Sequence, residues 1–273
     1  MTSCNWKVVL VLFFCFLLFS FSSYGKGKND NILVVNSYTE EYVWSEYVFD
    51  AIRNSLVDKA SPVGVQIESL NMLLMMDKEV LMKRKTAIVN KMKTNPPEVI
   101  VLQGNFALLV FLDELHTIWK GIPVILCADN DSVVSLESCL SKAYAPDEKE
   151  FSLKEIVEGL NITIVKCPVY MEETVRVMTR LLPEMKKLVF ISDRRHISAQ
   201  MRYRLGEVVK ENFPHLEFSQ LVEGEVSTEM MLDSIRSYNI KEVGILYYSW
   251  ILSKGESGSG YLSTSNHRVV ANI

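Results

Sequence analysis

Five short apolar runs in this 273-residue sequence each end on side chains that can hydrogen-bond, ionise or stack. The first hands over to Asn36, Ser37 and Tyr38, with Tyr42 and Trp44 just beyond. The next two end on Gln103 and Asn105 and on Asp129 and Asn130. Two later runs end on Ser192, Asp193 and Arg194 and on Tyr248, Ser249 and Trp250. Amides and hydroxyls donate and accept, aromatic rings stack, and a guanidinium offers a planar fork of donors that the neighbouring Asp193 can hold in place. Such a set suits a polar small molecule better than a lipid, so these fifteen residues are the candidate ligand-binding set. Several of them also suit purely architectural roles. Ser37, Asn105 and Ser192 can cap helices, Trp44 can fill a lobe interior, and Arg194-Arg195 can be a solvated loop pair.

Catalytic patterns are weaker. The sequence has no G-x-S-x-G elbow, P-loop, H-E-x-x-H helix or G-x-G-x-x-G fingerprint. Gly255 to Gly260 is glycine-rich but has no helix pattern behind it, so it reads as a flexible loop. The four histidines, His116, His196, His215 and His267, stand singly, and no metal site follows from their spacing. The pairs Glu40-Glu41 and Glu172-Glu173 precede helical runs, where they complement the dipole. A binding protein without cofactor or metal is the expectation. The rival from another class is a small α/β hydrolase using Ser37 or Ser192 as nucleophile, although no histidine is placed by sequence to activate either.

The elements that position the candidates alternate between β-branched runs and amphipathic stretches, which implies α/β architecture with parallel sheets and crossover helices. Strands are expected at 31–36, 64–70, 98–103 and 122–127, with helices at 44–57, 78–92 and 106–119. These form an N-terminal lobe within residues 26–130. Asn95-Pro96-Pro97 stops the second helix and Gly121 introduces the fourth strand. Residues 131–160 are polar and irregular and read as an inter-lobe connection. A second series then follows within residues 161–273: strands at 161–166, 187–192, 216–222 and 242–248, and helices at 171–182, 197–213 and 227–238, the last capped by Ser227 or Thr228. In open parallel sheets ligands bind beyond the carboxyl ends of the strands, where every candidate lies.

Near the N-terminus Lys7 precedes the apolar stretch Val8 to Phe21, and Ser23 and Gly25 place small residues at a cleavage site. Residues 1–25 therefore read as a signal peptide cleaved after Gly25, with an uncleaved inner-membrane anchor as the alternative. Periplasmic or extracytoplasmic placement follows. The formal net charge is −4 and the longest basic stretch is Lys83-Arg84-Lys85, which argues against a nucleic-acid partner. Beyond Gly25 stand Cys127, Cys139 and Cys167, an odd number without a C-x-x-C pair, so free thiols are expected rather than a disulfide framework.

The stretch Asn31 to Leu56, containing ILVVNSYTEEYVWSEYVFDAIRNSL, is similar to the opening strand and helix of ABC-transporter substrate-binding-like proteins of the type I periplasmic binding protein superfamily. Gln103-Gly104-Asn105 and Gly121-Ile122-Pro123-Val124 match further features of that family. Leu188 to Arg202 and Ile245 to Trp250 resemble the extracytoplasmic sensor region of bacterial hybrid two-component histidine kinases. The resemblance implies two Rossmann-like lobes closing on a ligand, with a membrane-attached signalling segment or a transporter as partner and a second copy of the chain as another. It also implies a second lobe cut short, because the family carries more strands than this sequence supplies before Ile273, with any kinase activity in sequence beyond it. A free-standing solute-binding protein would need the same cleft without the signalling segment.

Overall fold

The computed structural model describes residues 31–39, 43–56, 63–72, 77–140 and 149–250. The signal segment, Tyr42, the Glu40-Glu41 pair, the Gly255–Gly260 loop and His267 lie outside the described residues.

The first sheet opens with β1 (Asn31–Asn36), flanked by β2 (Gly64–Ser69) and β3 (Val99–Gln103), and continues through β4 (Val124–Ala128). Its strand order is β2-β1-β3-β4-β7, with β7 at Ile162–Lys166, all parallel. A central strand covered on both faces must be apolar throughout, which is why β1 and β3 are continuous runs. Leu33, Val35, Ile100, Leu102, Val124 and Leu126 face one side, under helices α2 (Lys78–Met92) and α3 (Asn105–His116). Val34 and Val101 face the other, under Phe49 of α1 (Val43–Leu56). Asp77 starts α2 by accepting from the N–H groups of Glu79 and Val80.

Two differences from the sequence reading concern this lobe. The strand expected to open the second series, here β7 (Ile162–Lys166), pairs with β4 as the fifth strand of the first sheet. As an edge strand it buries only one face, with Ile162 and Ile164 on the core, so it carries the alternating pattern of a half-covered strand. The second difference is that much of residues 131–160 is part of the first lobe. β5 (Ser132–Val133) pairs antiparallel with β6 (Phe151–Ser152), and the short helices α4 (Leu136–Leu140) and α5 (Leu153–Ile156) pack Leu136, Leu140, Leu153 and Ile156 onto its core. The apolar residues there are too sparse to show a period. The passage between sheets falls instead after β7, where the Cys167 N–H still bonds Ala128 O at 3.1 Å.

The second sheet has the parallel order β10-β8-β9, built from β8 (Lys187–Ser192), β9 (Glu217–Val222) and β10 (Val243–Tyr247). Leu188 and Phe190 meet Val175 of α6 (Met171–Leu181) and Met201, Leu205 and Val209 of α7 (His196–Asn212). Val189 and Ile191 meet Met231 of α8 (Thr228–Ser237), whose N-cap is Ser227. The fold class expected from the sequence, α/β with parallel sheets, is the one observed, and the two sheets are separate. Cys127, Cys139 and Cys167 are all free thiols.

Candidate functional site

On the first lobe the parallel register brings Asn36, Gln103 and Cys127 to one level at the carboxyl edge of the sheet. Just past that level, Ser37 Oγ donates to Gln103 O at 2.6 Å and accepts from the Ala107 N–H at 3.0 Å. Ser37 therefore caps α3 from the adjacent strand, and backbone partners take both roles a nucleophilic hydroxyl would need. Gly104 makes the arrangement possible. Its φ is +87°, and a Cβ there would lie 2.6 Å from Ser37 Oγ.

Tyr38 O–H donates to Asp129 Oδ2 at 2.9 Å, while Asp129 Oδ1 accepts from the Asn105 N–H at 3.2 Å. Burial raises the Asp129 carboxyl above the ordinary aspartate value against the pull of those two bonds. Burial, then the Asp129 and Tyr248 charges, pushes the Tyr38 hydroxyl well above the ordinary tyrosine value, so Tyr38 stays a donor. Trp44 meets Tyr38 edge-on, with ring centroids 6.0 Å apart, and packs against the main core. The Asn105 amide donates to Asn130 O at 2.9 Å, whereas its Oδ1 is buried without a hydrogen-bond partner among the described residues. Gln103 likewise buries both amide atoms unpaired among the described residues. Asn36 is occupied internally, bonded to Thr39 O, the Tyr38 N–H and Ser45 Oγ.

On the second lobe Asp193 is fully buried and organises the start of α7. Its Oδ1 accepts from the Arg195 N–H at 3.0 Å and from Ser198 Oγ at 2.7 Å, and both oxygens accept from Arg195 Nε. Burial opposes its charge, but the Arg195 guanidinium and these bonds outweigh burial and hold the carboxyl below the ordinary value. Burial opposes the Arg195 charge, but the Asp193 carboxylate outweighs it and raises the guanidinium above its ordinary value. Arg194 turns the other way, to Glu223 at 3.7 Å and toward Gly224.

The lobes are joined by a polar bridge. Gln200 accepts from the Asn130 amide at 3.1 Å and donates to Glu150. Arg204 donates to Asn130 Oδ1 at 2.9 Å, to Ser132 Oγ at 2.8 Å and to Glu150. Burial works against the Glu150 charge, but bonds from Ser132 and Gln200 and the Arg204 charge prevail and lower its pKa. On one side of the bridge lies a gap of about 50 Å³ bordered by Tyr38, Asn105, Asp129, His196 and Gln200. On another lies a cavity of about 540 Å³ between the end of β4, the β7–α6 passage and α7.

Of the sequence candidates, Tyr38, Asn105, Asp129 and Asn130 border the gap. Ser192 is buried and its Oγ accepts from Arg202 at 2.9 Å, and Ser249 Oγ approaches the Asp193 N–H at 3.5 Å. Tyr248 stacks on Phe190 at 5.9 Å. Trp250, 1% exposed, lies in the second-lobe core with Met231 and donates to Thr228 Oγ1 at 3.0 Å, away from the junction set. The junction residues the candidate set omits are Glu150, His196, Gln200 and Arg204. A polar stripe at i, i+4 and i+8 along α7, His196-Gln200-Arg204, was their available signal.

No protein-family model matches this chain, and no curated protein matches it by sequence. Solved structures are similar at low identity. A conserved domain protein from Vibrio cholerae aligns over 71% of this chain at 13% identity and TM-score 0.45. An ABC domain in complex with L-Trp from Streptococcus pneumonia aligns over 80% at 12% identity and TM-score 0.48. The chain spans 57% and 65% of the lengths of those two proteins. A carbohydrate transporter solute binding protein from Agrobacterium radiobacter, in complex with D-arabinose, aligns over 82% of this chain and 68% of its own length, at 17% identity and TM-score 0.46.

Proposed function

We propose that this chain is a non-catalytic module that binds a polar small molecule between two lobes of a type I periplasmic binding protein-like fold, outside the cytoplasm. The observation that carries the reading is Asn105. Its buried acceptor, without a hydrogen-bond partner among the described residues, belongs to a gap that both lobes border, beyond the carboxyl ends of the first sheet, where open parallel sheets hold ligands. A ligand touching both lobes favours closure by the extra contacts it makes in the closed state. In this reading closure is passed to a membrane-attached signalling segment, as in the histidine-kinase sensor regions that Leu188 to Arg202 resembles.

Thermal shift on the chain from Lys26 onward tests it, using a panel of amino acids, sugars, nucleobases and organic acids. At least one compound is expected to raise the melting midpoint. Calorimetry should then show Asn105→Ala and Gln200→Ala each weakening that compound by about 1 kcal/mol, the scale of one hydrogen bond, with circular dichroism unchanged. No shift across the panel, or binding indifferent to both substitutions, would overturn the assignment.

A further inference from the structure

The two spaces at the junction differ about tenfold in size, so they suit different occupants. The gap of about 50 Å³ has room for one or two waters. The cavity of about 540 Å³ falls within the usual range of small-molecule sites, and both lobes build it. Val169, Met171, Met201 and Val208 give it an apolar wall, and thioethers adapt to irregular shapes.

Charge narrows the occupant further. Five carboxylates and two basic side chains line the cavity. Both bases are already neutralised: Lys166 Nζ lies 2.8 Å from Asp131, and Arg204 is paired with Glu150. Glu172 and Glu207 are paired along their own helices, with Arg176 and Lys210. Glu173 lies in the first turn of α6 and has no ion pair among the described residues. Tyr203 adds an aromatic face to the lining. An anion here would meet repulsion and no free cation among the described lining residues. A positive group would meet Glu173 and a ring while its body covers the methionines.

We propose that this larger cavity is a second site, separate from the gap at Asn105, and that it takes an organic ammonium ion with a compact apolar body. Three probes of matched shape test the class: phenethylammonium, 2-phenylethanol and phenylacetate, titrated calorimetrically at pH 7. The cation is expected to bind about tenfold or more tightly than either other probe. Glu173→Gln, at an exposed position, should weaken it about fivefold, and Val169→Trp should abolish binding by filling the cavity, with circular dichroism unchanged in both. Tighter binding of the neutral or anionic probe, or cation binding unaffected by both substitutions, would overturn the ligand class. If none of the three probes binds while a compound of the wider panel does so through Asn105, this inference falls and the binding module stands. If nothing in either set binds, both fall.

Discussion

Gly104 carries the sharpest consequence at the scale of single residues. Its positive φ and its contact with Ser37 Oγ make any side chain costly twice over. Gly104→Ala is therefore expected to destabilise the fold by about 2–4 kcal/mol, combining backbone strain with overpacking. Urea denaturation measures this, and a double-mutant cycle with Ser37→Ala should recover part of the loss, because removing Oγ makes room for the new methyl. Strictly additive losses would show that the clash is not the cause. Sequence marked Ser37 as either ligand contact or cap, and the cap reading fits its geometry, although the capped helix follows another strand. Arg194 and Arg195 show why some choices were illegible. At a strand-to-helix junction one residue's step reverses the direction of the side chain, and nothing in the letters says which arginine Asp193 holds.

At the scale of elements, the bridge from α7 to Glu150 and β5 holds the lobes together, and its charged member makes that contact sensitive to pH. The Glu150 pKa is lowered in the folded state, so its contribution is fully present above the ordinary glutamate value near 4.3 and is lost as pH falls through the lowered one. Small-angle scattering should record expansion of the particle on acidification, before global unfolding seen by far-UV circular dichroism. Glu150→Gln should show the expanded form already at neutral pH, since it removes a charge-assisted contact of about 1–2 kcal/mol from a partly exposed site. Identical scattering profiles for variant and parent would dismiss the bridge as a closure device. The positions of β1, β3, β4, β8 and β10 were legible from apolar runs, which in β1, β3 and β8 two covered faces demand. The partner of β7 was not, because an alternating edge strand fits the side of either sheet. The bridge itself joins residues 50 or more positions apart, such as Gln200 and Glu150, and only its α7 half has a periodic signature.

Among the described residues each sheet carries its own apolar core on both faces and a polar contact joins the two lobes, which sets how the molecule should come apart. Leu102 is fully buried in the larger first-lobe core and Leu188 in the smaller second-lobe core, and the two clusters share no residue. A junction stabilised mainly by hydrogen bonds couples lobes more weakly than a shared apolar interface does. Each leucine cut to alanine should cost about 2–5 kcal/mol by cavity formation. The loss should appear chiefly in the lobe that carries it. Hydrogen exchange read by mass spectrometry would show Leu102→Ala lowering protection in β1, β3 and β4 while β8 and β9 keep theirs, with the reverse pattern for Leu188→Ala. Equal loss of protection across both sheets in either variant would mean that the lobes fold as one cooperative unit. The bridge between Glu150 and α7 would then carry more of the stability than its partly exposed charges suggest.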